Sequence, residues 1–158
     1  MTAKVQRLFC LFEIIRVLLQ INTIIWMKQF YLQRFLNAQE SGGLYDNMPD
    51  YQTALEEIRN GHKRTHWIWY VFPQMKGLGT SELSQFYGID GREEAHEYLK
   101  NPILKQRLKE AAQAVLDSKY SAYEIFDSDI IKFRASMLLF ASISDEPIFK
   151  QIISKYKW

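Results

Sequence analysis

The sequence predicts an all-α protein: a compact single domain built from an array of short helices, preceded by an extra N-terminal amphipathic helix. Apolar residues recur at helical spacing in one segment after another, and proline and glycine stand where such helices would begin and end. No segment clearly alternates apolar and polar residues as a half-buried strand does. A length of 158 residues and a hydrophobic fraction of 47% suit one well-packed core rather than two.

The leader, residues 1–27, is predicted to be the extra helix. Residues 8–27 are strongly apolar, and the polar side chains recur at intervals of three, four and seven residues, so they form one stripe along a helix: Gln6, Glu13, Arg16, Gln20 and Thr23. Glu13 and Arg16 interrupt the apolar run and argue against a membrane-spanning helix. No small-residue cleavage site follows that would mark a signal peptide.

The apolar surface of the leader needs a cover. Docking on the domain, self-association and contact of residues 5–27 with a membrane surface would each supply one. A fourth interpretation is that translation begins at Met27 and that the preceding residues are an upstream extension. The sequence alone leaves these four alternatives open.

Residues 28–158 are predicted to form the single helical domain, whose first helices are punctuated by glycine and proline. Residues 28–39 continue the leader helix and end before a Ser-Gly-Gly turn. The next helix begins near Pro49 and ends with Gly61 in the C′ position. Its apolar stripe follows the i, i+3, i+4, i+7 pattern: Tyr51, Ala54, Leu55 and Ile58.

Residues 67–72 are the one segment with the composition of a strand. Thr65 as a cap and the helical surroundings favour a short helix that ends before Pro73, because proline disfavours helical backbone at the preceding residue.

Capping signals mark the later helices. In chain order they are an Asp90–Glu93 capping box, a stop at Asn101, an N1 proline at Pro102, a Ser121–Glu124 capping box and a second N1 proline at Pro147. The stripes predicted to face the core are Leu104, Leu108, Ala111, Ala112 and Val115; Ile130, Phe133, Met137 and Phe140; and Phe149, Ile152, Ile153 and Tyr156.

Charge and cysteine content exclude several classes of protein. Twenty basic and eighteen acidic residues leave a net charge of +2 with no polycationic half, so nucleic acid is not a predicted partner. The single cysteine, Cys10, excludes an internal disulfide and suits a reducing, cytoplasmic location. His62 and His66 have the spacing of zinc ligands on a helix but lack the accompanying glutamate, so neither a metal nor a cofactor is predicted.

The best candidate for a site is the segment of residues 62–81, which concentrates aromatic, basic and glycine residues: HKRTHWIWYVFPQMKGLGTS. Glycines before a helix let backbone N–H groups converge on an anion, although the same residues also make an ordinary turn with Thr80 or Ser81 as the N-cap. Further along the chain, Asp129, Lys132 and Ser136 fall at i, i+3 and i+7 and share one side of a helix.

These residues favour a domain that binds a small anionic or phosphate-bearing ligand, with hydrolysis as an extension in which His66 or Asp129 activates water. His66 and Trp67 would then flank the opening while Trp69 is buried; the alternatives are a partly buried histidine and a core tryptophan. The predicted ligand-binding residues are Lys63, Trp67, Gln74, Gly77, Gly79, Ser81, Lys132 and Ser136.

A second hypothesis is a protein-interaction module. In that case the aromatic side chains of the same segment would be exposed and would anchor a protein partner: Trp67, Trp69, Tyr70 and Phe72.

The chain also resembles a bacterial family, the domain of unknown function 1810 family, some of whose members are labelled calpastatin-like. The family pattern is matched at Gly61, Lys63, His66, Trp67, Trp69, Phe72, Pro73, Gln74, Gly77, Leu78, Gly79 and Ser81. A later family block is matched at Asp129, Lys132 and Ser136, while two of its polar positions are Ala135 and Leu138 here. The resemblance covers about residues 32–157 and implies a compact, mostly helical domain, with no activity to carry over.

Overall fold

Helices form almost all of the regular structure, as the sequence predicts. The computed structural model describes the backbone of residues 3–158 and the side chains of residue 6, residues 10–27 and residues 31–158. The helices are α1 (Ala3–Ser41), α2 (Tyr51–Arg59), α3 (Ile68–Val71), α4 (Glu82–Phe86), α5 (Gly91–Lys100), α6 (Pro102–Asp117), α7 (Ala122–Phe126), α8 (Ile130–Ile143) and α9 (Pro147–Tyr156). A 3₁₀ turn, Asp127–Asp129, joins α7 to α8. Within the described backbone, pairing of the β type is limited to an isolated bridge between Met75 and Ile89.

The chain divides into two compact units, the first ending at Gln33 and the second spanning Arg34–Trp158. In the first unit every described side chain of residues 10–27 is exposed to solvent. The stretch Cys10–Ser41 of α1 is long and apolar enough to cross a membrane, by length and composition alone. The second unit contains the last turns of α1 and all the other helices.

The core of the second unit lies where α6 packs against α2, α5 and α9, and where α8 packs against α5 and α9. The predicted stripes of α2 and α6 are buried throughout. In the last two stripes, Ile130, Ile153 and Tyr156 are only half-buried. Ser136, which the spacing places on one side of α8 with Asp129 and Lys132, is fully buried, as are Phe133, Met137 and Phe140.

Local capping explains where the helices begin. Asn101 accepts hydrogen bonds from the N–H groups of Ile103 and Leu104 at the start of α6, with Pro102 as the first helical residue. The Ser121–Glu124 capping box of α7 is confirmed. Helix α2 ends as predicted, with Gly61 at a φ of 80° just past its C-cap.

Two predicted caps are wrong. The side chain of Asp90 does not cap α5; the backbone N–H of Asp90 instead donates to the carboxylate of Glu94, one residue beyond the predicted Glu93. Thr65 does not cap α3, which begins after Trp67, because its hydroxyl donates to Glu57 on α2.

Candidate functional site

Two lysines meet one carboxylate where the loop after α2 approaches the start of α8. The Nζ atoms of Lys63 and Lys132 lie 2.6 Å from the two different carboxylate oxygens of Asp129. Lys132 is in the first turn of α8, and Asp129 is the residue before that helix. We call this group of three residues the lysine–aspartate cluster.

Two backbone features position the cluster. The N–H of Lys63 donates to the carbonyl oxygen of Ile125 at 2.7 Å, which holds the loop after α2 against α7. Asp127 has φ 48° and ψ −124°. A side chain other than glycine in such a conformation costs of order 1–3 kcal/mol. This strained residue lies where the chain turns from α7 into α8, two residues before Asp129.

The cluster is partly buried and carries one net positive charge. The Lys63 side chain is only 7% exposed, compared with 18% for Asp129 and 27% for Lys132. Burial on its own raises the pKa of Asp129, but hydrogen bonds from Lys132 and Lys63, together with their charges, outweigh it and lower that pKa. Asp129 is therefore ionised at neutral pH, with both of its oxygens engaged.

Each lysine of the cluster also lies over an indole ring. The Nζ of Lys132 is 4.9 Å from the ring centroid of Trp69, and the Nζ of Lys63 is 5.5 Å from that of Trp67. Trp67 is fully buried, and Trp69 is half-buried. The arrangement with Trp67 at an opening and Trp69 in the core is therefore wrong, and Trp67 is the core tryptophan of the alternative interpretation.

Ser136 lies one helical turn after Lys132 on the same side of α8. Its side chain is fully buried, and its Oγ has no hydrogen-bond partner among the described residues. A buried hydroxyl without a partner is unusual, because losing water without a replacement bond is unfavourable. Ser136 therefore offers an unused hydrogen-bonding group next to the cluster.

Glu57 is an important residue that the sequence analysis missed. Its carboxylate accepts hydrogen bonds from the N–H groups of Arg64 (2.7 Å) and Thr65 (3.1 Å), from the Thr65 hydroxyl (2.8 Å) and from Nε1 of Trp67 (2.7 Å). Burial alone raises the pKa of Glu57, but these hydrogen bonds outweigh it and lower that pKa. In the sequence, the only available signal was an acidic residue beside the buried stripe of α2.

The glycine turn forms a second, separate group. Ser81 caps α4 by accepting from the N–H of Ser84, and a Cβ on Gly79 would lie 3.0 Å from the Ser84 side chain. Gln74 is 9% exposed, and its carbonyl oxygen accepts from the N–H of Ile89. Gly77 has a φ of 93° with open space around it. In the part of the chain described with side chains, no hydrogen bond or ion pair joins this group to the lysine–aspartate cluster.

The histidines lie outside the cluster. His66 is exposed, and its backbone N–H donates to the carbonyl oxygen of Asn47. His62 is also exposed. Among the described residues no group of three or more histidine, cysteine or acidic side chains is arranged to hold a metal ion.

Comparisons with known proteins give a family and a fold. The family described as "Protein of unknown function (DUF1810)" matches residues 29–157. The chain is similar to the crystal structure of the conserved hypothetical protein Rv1873 from Mycobacterium tuberculosis, with 40% sequence identity and a TM-score of 0.72 over 80% of this chain and 87% of that one. No curated protein matches the chain significantly.

Proposed function

The chain belongs to the DUF1810 family of proteins of unknown function, and from the geometry of its own residues we propose that it binds a small anionic, phosphate-bearing ligand at the lysine–aspartate cluster. The proposal rests on Lys63, Asp129 and Lys132, with Ser136 as a further hydrogen-bonding group.

The main support for the proposal is that the two ammonium groups of the cluster have more N–H donors than the one carboxylate can accept. Each ammonium group has three N–H donors, and each is seen to use one on Asp129. Lys63 is almost completely buried, so water gives it little compensation. An anion beside the cluster would accept from the remaining donors and neutralise the net positive charge.

Ser136 extends the same site. Its hydroxyl is buried, has no hydrogen-bond partner among the side chains and backbone that the structure describes, and lies one turn from Lys132. It would donate a hydrogen bond to an oxygen of the anion, which supplies the partner that the hydroxyl lacks.

The proposal is limited to binding. Asp129 is a weak general base, because its pKa is lowered and a lysine occupies each of its oxygens. The interaction-module hypothesis needs exposed aromatic anchors, but Trp67, Tyr70 and Phe72 are buried and only Trp69 is half-exposed.

Isothermal titration of the full chain with inorganic phosphate, at constant ionic strength, tests the proposal. We expect saturable binding that weakens at least tenfold in Lys132→Gln and tightens in Asp129→Asn, because the first removes a positive charge and the second removes the competing carboxylate. Lys150→Gln is the matched control, since Lys150 is an exposed lysine whose ion pair with Asp145 lies on α9 and in the segment before it. An absence of phosphate binding, or an equal loss in Lys132→Gln and Lys150→Gln, would contradict the proposal.

A further inference from the structure

The leader exposes far more apolar surface than a water-soluble helix tolerates. Twelve large hydrophobic side chains between Leu11 and Met27 are each 46–74% exposed. Soluble proteins rarely expose contiguous apolar patches of this kind unless the patch binds something. The leader therefore needs a cover, and its surface pattern shows which kind.

Polar side chains occupy only a narrow part of the helix circumference. At 3.6 residues per turn, Glu13, Arg16, Gln20 and Thr23 fall within an arc of about 80°; Asn22 lies outside it. Polar groups of the stripe find partners on the same helix: Arg16 lies 3.6 Å from the carboxylate of Glu13, and the Thr23 hydroxyl donates to the carbonyl oxygen of Leu19. Apart from Asn22, residues 11–27 are apolar over the rest of the circumference.

A second copy of the helix cannot cover so wide an apolar arc. Two helices pack along a seam that occupies one stripe of each, so a dimer would leave most of the apolar residues in water. Lipid acyl chains have no such limit, since they surround whatever surface is inserted. Within Cys10–Ser41, the most apolar 18-residue window has a mean hydropathy of 1.6, which by composition alone suits contact with lipid.

The charged side chains of the leader indicate how deeply the helix enters the bilayer and which type of lipid it prefers. A spanning orientation would place Glu13, Arg16 and Gln20 in hydrocarbon, where polar groups are costly. An orientation along the surface keeps them in water. The first 30 residues contain four basic side chains and one acidic one, which favours an anionic surface.

We propose that the leader is a membrane-binding helix that lies at the headgroup–acyl boundary of an anionic bilayer, with its polar stripe toward water. Membrane contact by residues 5–27 was one of the alternatives left open by the sequence. The exposure of residues 10–27 and the width of the apolar arc now favour it over a dimer of leader helices.

Flotation of the full chain with phosphatidylcholine vesicles, with and without about a quarter phosphatidylglycerol, tests this proposal. Wild type is expected to float with the anionic vesicles and less with the neutral ones. Leu18→Glu with Ile25→Glu, opposite the polar stripe, should reduce bound protein at least tenfold. Gln20→Glu with Thr23→Glu adds the same charge on the stripe and should retain most binding.

Three results would overturn the proposal. The first is that wild type fails to float with anionic vesicles. The second is that both double variants lose vesicle binding equally, which would indicate a response to net charge alone. The third is an oligomer in light scattering that dissociates in Leu18→Glu with Ile25→Glu but not in Gln20→Glu with Thr23→Glu, while neither wild type nor the two double variants bind vesicles. Thermal unfolding of all three proteins confirms that the helical domain is intact.

Discussion

Replacing Glu57 by glutamine tests how one carboxylate holds the segment between α2 and α3. Three N–H donors converge on Oε2, and the Thr65 hydroxyl donates to Oε1. Glutamine has the same shape and keeps one acceptor oxygen, and the Thr65 hydroxyl rotates to accept from its new amide. The substitution therefore removes the negative charge while leaving the geometry available.

The expected cost follows from the hydrogen bonds that lose a charged partner. A hydrogen bond to a charged group contributes about 1.5–3 kcal/mol and a neutral one about 1 kcal/mol. The Arg64 bond is exposed and contributes least, whereas Nε1 belongs to the fully buried Trp67. We expect Glu57→Gln to lower the free energy of unfolding by roughly 1–3 kcal/mol, since the three bonds are not additive.

Urea unfolding followed by tryptophan fluorescence measures this difference. The matched control is Glu56→Gln, which changes the neighbouring side chain; that side chain is exposed and accepts a hydrogen bond from Gln52, so the substitution should cost less than about 0.5 kcal/mol. The pKa of Glu57 is lowered in the folded state, so its stabilisation is fully present above the ordinary pKa of a glutamate, about 4.3, and is lost as pH falls through the lowered folded pKa. Equal costs for the two variants, or a Glu57→Gln deficit that persists unchanged at pH 3, would refute the reasoning.

The remaining predictions concern packing and the leader. Met137→Ala should lower the free energy of unfolding by about 2–5 kcal/mol as a core truncation, while Lys105→Ala, which loses only a partly exposed ion pair, should lower it by less than about 0.5 kcal/mol. Equal losses of stability in urea unfolding would show that the buried and exposed faces of α6 and α8 are misassigned. Ser136→Ala should leave the free energy of unfolding unchanged or raise it by up to about 1 kcal/mol, because it removes a buried hydroxyl that has no partner among the described residues. The same substitution should weaken phosphate binding in the calorimetric titration. A clear loss of stability would mean that the hydroxyl has a structural partner. A chain truncated to residues 27–158 should still unfold cooperatively by calorimetry, since the core lies in Arg34–Trp158; aggregation or a non-cooperative melt would show that the leader is part of that core.

Local chemistry explains why the helix boundaries were predictable. Pro102 after Asn101, and Ser121 with Glu124, satisfy the first N–H groups of a helix with atoms only a few residues away, so the signal is complete in the sequence. The α2 and α6 stripes were predictable for a related reason, since long periodic segments define one buried face.

Tertiary contacts explain the errors. Helix α3 has four residues, too few for periodicity to tell whether Trp67 or Trp69 faces the core. Glu57 stabilises Trp67 in the core, because its carboxylate accepts a hydrogen bond from the buried indole N–H of Trp67. Ser136 was grouped with Asp129 and Lys132 by helical spacing, although its angular position on α8 lies between Lys132 and the buried Phe140.

The same long-range contacts link the stability of the loop to the proposed site. Lys63 is held on one side by its N–H bond to Ile125, and on the other by the bond from the next residue, Arg64, to Glu57. Loosening the Glu57 bonds therefore frees one side of the segment that aims Lys63 at Asp129. We expect Glu57→Gln to weaken phosphate binding as well as folding, with Glu56→Gln affecting neither. Normal phosphate affinity in a destabilised Glu57→Gln protein would show that Ile125 alone positions Lys63.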